Sequence, residues 1–128
     1  MVASGVDTSL YQRLGGYDVI AAFTDQWLGL ILGDPALAPY FRGMSNDTKR
    51  KARQLIVDFI AASIGGPTIY TGRDMKTLHE GLGISRGEYA TLMQHTTTTL
   101  DTLGVGGGEK DEFLVWMASL EGDTIERS

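Results

Sequence analysis

No cysteine occurs among the 128 residues, which removes disulfides, thiolate zinc sites and cysteine nucleophiles together. Histidine is almost as scarce, with only His79 and His95. Two imidazoles cannot supply the roughly four protein ligands of a zinc site, and the Glu-x-x-His pairs of a di-iron bundle are missing. Basic residues number 11 against 16 acidic ones, and a net charge of −5 is the wrong sign for affinity built on neutralising phosphates, so no nucleic-acid partner is expected. The longest mostly apolar stretch, residues 19–32, is interrupted by Thr24, Asp25 and Gln26 and is unfit to span a bilayer. Residues 1–9 lack the charged start and apolar run of a signal peptide, and a cytoplasmic protein is the expectation. No Walker-type glycine loop, no GxGxxG after a strand and no alternating strand pattern of useful length appears.

What is present is helical punctuation. Hydrophobic residues make up 42% and charged residues 21%, ordinary values for a single globular domain of this length. The reading is a loose tail over residues 1–8 and one all-α domain over 9–128. Ser9 opens a short helix that Gly15-Gly16 stops. Val19, Ile20, Phe23, Trp27, Leu30 and Ile31 then recur at three- and four-residue spacing, up to Gly33-Asp34-Pro35. After a connector carrying Pro39, Tyr40 and Phe41, a helix capped near Ser45 runs to Ile64 and ends at Gly65-Gly66-Pro67. A short helix bears Met75 and His79 on one face. Ser85-Arg86-Gly87-Glu88 is a capping box for a helix reaching Leu103, and a last helix is expected from about Gly108 to Ile125. Most of the 17 glycines fall between these helices. Gly29 falls within one and is read as a point where another helix approaches closely. Thr96 to Thr99 lower the helix propensity of their segment, so tertiary packing must hold it, with a polar tunnel lining as the lesser alternative.

Chemistry is then confined to few groups. One imidazole is enough when the ligand brings four equatorial nitrogens of its own, as haem does. Haem also needs an apolar slot and partners for its propionates. Phe41, Phe59 and Tyr89 are available as flat walls, Met75 lies one turn before His79, and Arg73 with the basic cluster at 49–53 is available to the propionates. A lone helical histidine is more often structural, and spacing alone does not separate the two readings. His95 stays open among a second axial ligand, a surface residue and a half-buried hydrogen-bonded one. Trp27 and Trp116 read as core, with the Trp27 indole N–H as an alternative donor to a bound gas.

Three segments decide the matter. Leu10-Tyr11-Gln12-Arg13-Leu14-Gly15-Gly16, then Asp34-Pro35-x-Leu37-x-Pro39-Tyr40-Phe41, then Gly65-Gly66-Pro67-x-x-Tyr70-Thr71-Gly72-Arg73-Asp74-Met75-x-x-x-His79-x-Gly81-x-Gly83-Ile84 resemble, in order and in register, the group I truncated haemoglobins. The resemblance implies a two-over-two helical sandwich around haem b, with His79 as the proximal iron ligand and Phe41 on the haem edge. It further implies Leu78, Ile84, Tyr89 and Leu92 against the macrocycle. The expected activity is reversible binding of dioxygen, carbon monoxide or nitric oxide, as in oxygen transport, by a monomer or weak dimer. Nitric-oxide dioxygenation or weak peroxidase chemistry would require an unidentified reductase. The rival readings are a haem-based gas sensor or partner-binding globin, and a haem-free helical domain in which His79 is structural.

The departures from the family pattern lie on the other wall. Members commonly carry a tyrosine after an aromatic residue in the second helix, where this chain has Leu28 after Trp27. They often carry a glutamine three residues before a phenylalanine in the third helix, where this chain has Ile56 before Phe59. The lysine that often precedes the glutamine is replaced by Leu55. An apolar distal pocket of Leu28, Ala52, Ile56 and Phe59 is expected. A charge-assisted hydrogen bond to dioxygen contributes roughly 1 to 3 kcal/mol, so its loss should speed dioxygen release by about ten- to a hundredfold. Stopped-flow measurement of the dioxygen off-rate checks this; a rate as slow as that of a tyrosine-bearing relative would contradict it.

Overall fold

In the computed structural model, residues 9–127 are described; the expected tail at 1–8, together with Ser128, lies outside them. Ser9 caps α1 (Leu10–Leu14) by accepting from the Gln12 amide. The chain then forms α2 (Tyr17–Leu32), a 3-10 turn (Ala38–Phe41), α3 (Asn46–Ser63), α4 (Met75–His79), α5 (Arg86–Thr102), α6 (Gly107–Ala118) and α7 (Glu121–Thr124). Two helix pairs stack: α2 with α3, and α5 with α6, joined through the packing of α2 on α5. This is the two-over-two arrangement.

The helices meet over one apolar core. Ile20 and Phe23 of α2, Val57 and Ile60 of α3, Leu100 of α5, and Phe113 and Met117 of α6 are buried together. Phe23 and Phe113 cross the layers with ring centroids 4.9 Å apart. Two members of the threonine run face inward, Thr96 and Thr99, both fully buried, while Thr98 is exposed. Each hydroxyl is spent on the carbonyl one turn earlier, Thr96 on Leu92 at 2.9 Å and Thr99 on His95 at 2.8 Å, so burial leaves no polar atom unsatisfied. The expectation of packing rather than propensity fits these positions, and no tunnel-lining role is needed for the hydroxyls.

The junction after α3 shows why glycine stands there. A Cβ on Gly66 would lie 2.7 Å from the Tyr11 ring and 2.8 Å from the Ala61 carbonyl. The close approach lets the Tyr11 amide donate to the Ile64 carbonyl at 3.0 Å, tying α1 to the end of α3.

Two expectations are corrected. Gly29 has nothing within 4 Å of where its Cβ would be, so no helix crosses there. The last helix is broken: α6 stops at Ala118, where the Ser119 hydroxyl turns back to the Trp116 carbonyl, and α7 starts afresh at Glu121. A serine competing for helix carbonyls so near a glycine, Gly122, explains the interruption. The break redirects the chain toward α4, against which α7 packs.

The Ser85 capping box is complete, with its hydroxyl accepting from the Glu88 amide at 3.1 Å and Glu88 accepting from the Ser85 amide at 2.9 Å. Tyr40 adds a second donor to the Glu88 carboxylate at 2.6 Å, pinning the 3-10 turn to α5. That phenol first, then the Ser85 amide, hold the Glu88 carboxyl below its ordinary value. Because the folded value is depressed, the linked stability is present above the ordinary carboxyl range and lost as pH falls through the folded value. Glu88→Gln should therefore flatten the acid limb of stability measured by urea unfolding between neutral pH and about pH 3. Parallel wild-type and variant curves would contradict this.

Candidate functional site

A cavity of about 730 Å³ opens between α2 and α3 on one side and α4, α5 and α6 on the other. It is of the size that takes a cofactor, and its wall is overwhelmingly apolar. The sequence-derived residues Phe41, Ala52, Leu55, Ile56, Phe59, Arg73, Met75, Leu78, His79, Ile84, Tyr89 and Leu92 all lie on it.

Leu28 does not. From α2 the wall receives Trp27 and Ile31, which lie one turn apart on one face. Leu28 sits about 100° around the helix from Trp27 and is half-buried elsewhere. The expectation of Leu28 in the pocket is corrected accordingly. Nor is Trp27 a free donor, since its indole N–H is given to the Thr96 hydroxyl at 3.0 Å.

His79 closes α4, and its position is set by its own helix. The ring Nδ1 lies 2.7 Å from the Met75 carbonyl, one turn back. A carbonyl can only accept, so Nδ1 carries a proton, and in the neutral ring the lone pair is on Nε2. This is the tautomer and orientation in which histidine ligates metals. No other histidine, and no cysteine, shares the cavity wall. Among the described residues no group of three or more His, Cys, Asp or Glu could hold a metal ion by itself. A metal held here must bring its remaining ligands with it.

Most polar groups on the wall are already engaged. Tyr70 donates to the Arg73 carbonyl, Tyr89 to the Met117 carbonyl, and Thr124 to the Leu120 carbonyl at 2.9 Å. Burial, aided by the Glu121 charge, pushes the Tyr89 phenol up to about 12, so it stays a neutral donor. The donors left over are the Trp116 indole, the Thr71 hydroxyl and the Arg73 guanidinium. They belong to α6 and to the connector before α4. The α2 and α3 faces, where the resemblance leads distal donors to be expected, present only Trp27, Ile31, Ala52, Leu55, Ile56, Phe59 and Ile60.

The rim is partly exposed apolar surface, Met44, Leu78 and Leu82, which the edge of a flat apolar ligand would cover. Arg73 is the cation on the wall. The basic cluster of α3 is turned elsewhere: Arg53 makes a two-pronged contact with Asp25 at 2.8 and 2.9 Å, and Arg50 and Lys51 face Asp47. His95 also lies off the wall, half-buried with Nε2 2.6 Å from Asp34. Of its three readings, the half-buried hydrogen-bonded one describes it.

Sequence reasoning missed Trp116, Met117, Leu120 and Thr124, the α6–α7 contribution to the wall. The helical spacing of Trp116, Met117 and Leu120 reads as a core face, and they line that core from the cavity side; nothing in the sequence singles out Thr124. Trp116 lies between Phe59, at 5.9 Å, and Phe113, at 5.3 Å between ring centroids.

Residues 9–126 match the bacterial-like globin family. A group 1 truncated haemoglobin of Mycolicibacterium paratuberculosis is 33% identical over 112 residues, covering 88% of this chain and 80% of its own. The 2/2 haemoglobin of a Synechococcus species, solved in the cyanomet state with covalently attached haem, superposes with a TM-score of 0.83 at 25% identity, over 94% of this chain and all of that one. The truncated haemoglobin of Tetrahymena pyriformis in its Fe(III) form gives a TM-score of 0.84 at 22% identity, with the same coverage, and supports the fold. An apolar slot served by one oriented imidazole is what such a family requires, and the chain belongs to the bacterial-like globins, haem proteins that bind diatomic gases, as a group 1 truncated haemoglobin.

Proposed function

We propose that this chain holds haem b through Nε2 of His79 and binds a small diatomic gas reversibly on the face lined by α2 and α3. The observation that carries the reading is the His79 Nδ1 contact with the Met75 carbonyl, which orients the imidazole on the wall of an apolar cavity and leaves Nε2 as the nitrogen available to a metal. Met75, Leu78 and Ile84 would pack the proximal face, and Phe41, Phe59, Tyr89 and Leu92 would grip the ring. Arg73 would neutralise a propionate. When bound, the haem iron would supply the atom that takes up the gas.

The protein's own contribution is discrimination. With Ile56 and Ala52 where polar groups commonly stand, ligands that depend on a hydrogen bond lose more than those that do not. Dioxygen, which gathers negative charge, is held less firmly than its nearly apolar competitors carbon monoxide and nitric oxide. Nitric-oxide dioxygenation and peroxidase chemistry remain secondary proposals that need an external reductant.

Introducing the missing donor should reverse the effect: Ile56→Gln is expected to slow dioxygen release by about tenfold while changing carbon monoxide release little. Equal changes for both gases would indicate altered packing instead. His79→Ala should abolish the Soret spectrum of a histidine-ligated ferrous haem. An identical spectrum in the variant would overturn the assignment.

A further inference from the structure

The segment that follows His79 is held by a part of the chain more than forty residues away. α4 has only five residues, too few for a stable isolated helix, so its orientation must be imposed from outside. Residues 80–85, between α4 and α5, turn through Gly81 at φ 84° and Gly83 at φ 70°, conformations that favour glycine.

Across this turn lies the strap formed by Ile125, Glu126 and Arg127. The Glu126 carboxylate accepts from the Gly81 amide at 3.0 Å with one oxygen and from the Gly83 amide at 2.7 Å with the other. Backbone bonds flank it: the Glu126 and Arg127 amides donate to the Ile84 carbonyl at 2.8 and 3.1 Å, and the Arg86 amide donates to the Arg127 carbonyl at 3.0 Å. The Arg127 side chain reaches the Gly83 carbonyl.

Resting on the assignment of His79 as the iron ligand, we infer that Glu126 is a positioning residue for His79. One carboxylate bridging two amides, the first only two residues past the histidine, fixes where α4 ends and how the imidazole is tilted. α7 packing against α4 carries the strap into place. The wall residues Leu82 and Ile84 lie in the same turn, so the strap shapes the proximal floor together with its ligand. Weakening it should leave haem in place and alter the strength of the histidine–iron bond.

The test uses Glu126→Ala, Glu126→Gln and, as a control, Glu121→Gln, which breaks the neighbouring ion pair with Arg86 (2.8 Å) and touches neither glycine. In the haem-free protein, amide hydrogen exchange at Gly81 and Gly83 should accelerate about tenfold or more in Glu126→Ala. It should accelerate less in Glu126→Gln, which keeps one acceptor oxygen, and not at all in Glu121→Gln. In the haem-loaded ferrous protein, the iron–histidine stretching band in resonance Raman should shift or broaden in the same order while the melting temperature of Glu126→Gln stays close to wild type. Unchanged glycine exchange and an unchanged band in Glu126→Ala would overturn the inference. A band that survives His79→Ala would instead remove the ligand assignment, a separate outcome from the glycine exchange readout.

Discussion

The arrangement depends on the hydrogen bond between His79 Nδ1 and the Met75 carbonyl. An imidazole free to rotate or to exchange tautomers is a poor ligand, and no second histidine lines this cavity. Because both partners belong to a five-residue helix, the bond fixes the ring relative to α4 but not α4 relative to the rest of the protein. That second task falls to contacts distant in sequence: α7 packed on α4, and Glu126 on the two glycine amides. This side of the cavity is therefore an imidazole nested in a helix nested in a strap.

The opposite side is governed by a different constraint, the absence of hydrogen-bonding capacity where a gas would sit. The cavity's tyrosines and its Trp27 are not idle; each donates to the protein itself, to Glu88, Arg73, Met117 or Thr96. The same bonds that stabilise the wall remove these groups from ligand chemistry. A cavity can thus hold several polar side chains and still present an apolar face to its contents. Ile56 and Ala52 complete that face.

The legible part of this structure was local. Helix ends at Gly15-Gly16 and Gly65-Gly66, the Ser85 capping box and the segment carrying His79 each depend on neighbours within a few residues, and each stands in the structure as the sequence implied. Assigning wall residues was harder at helix margins. Periodicity sets Trp27 on the same face of α2 as Phe23 and Ile31; the register of the family resemblance places Leu28 in the pocket, but it sits about 100° further around the helix, off the wall. The break before α7 turned on whether tertiary contacts would carry a helix past Ser119. Glu126 left no sequence signal, because an acidic residue near the end of a charged stretch looks like solvated surface until the fold places Gly81 and Gly83 beneath it.

The central claim, that this cavity receives haem with His79 as its ligand, is most directly tested by titrating the haem-free protein with haem and following tryptophan fluorescence. Trp27 and Trp116, the two tryptophans of the chain, both line the cavity. Quenching should be strong and should saturate at one haem per chain, with affinity markedly weaker in His79→Ala. Weak, unsaturable quenching, or saturation with the same affinity in the variant, would contradict the account.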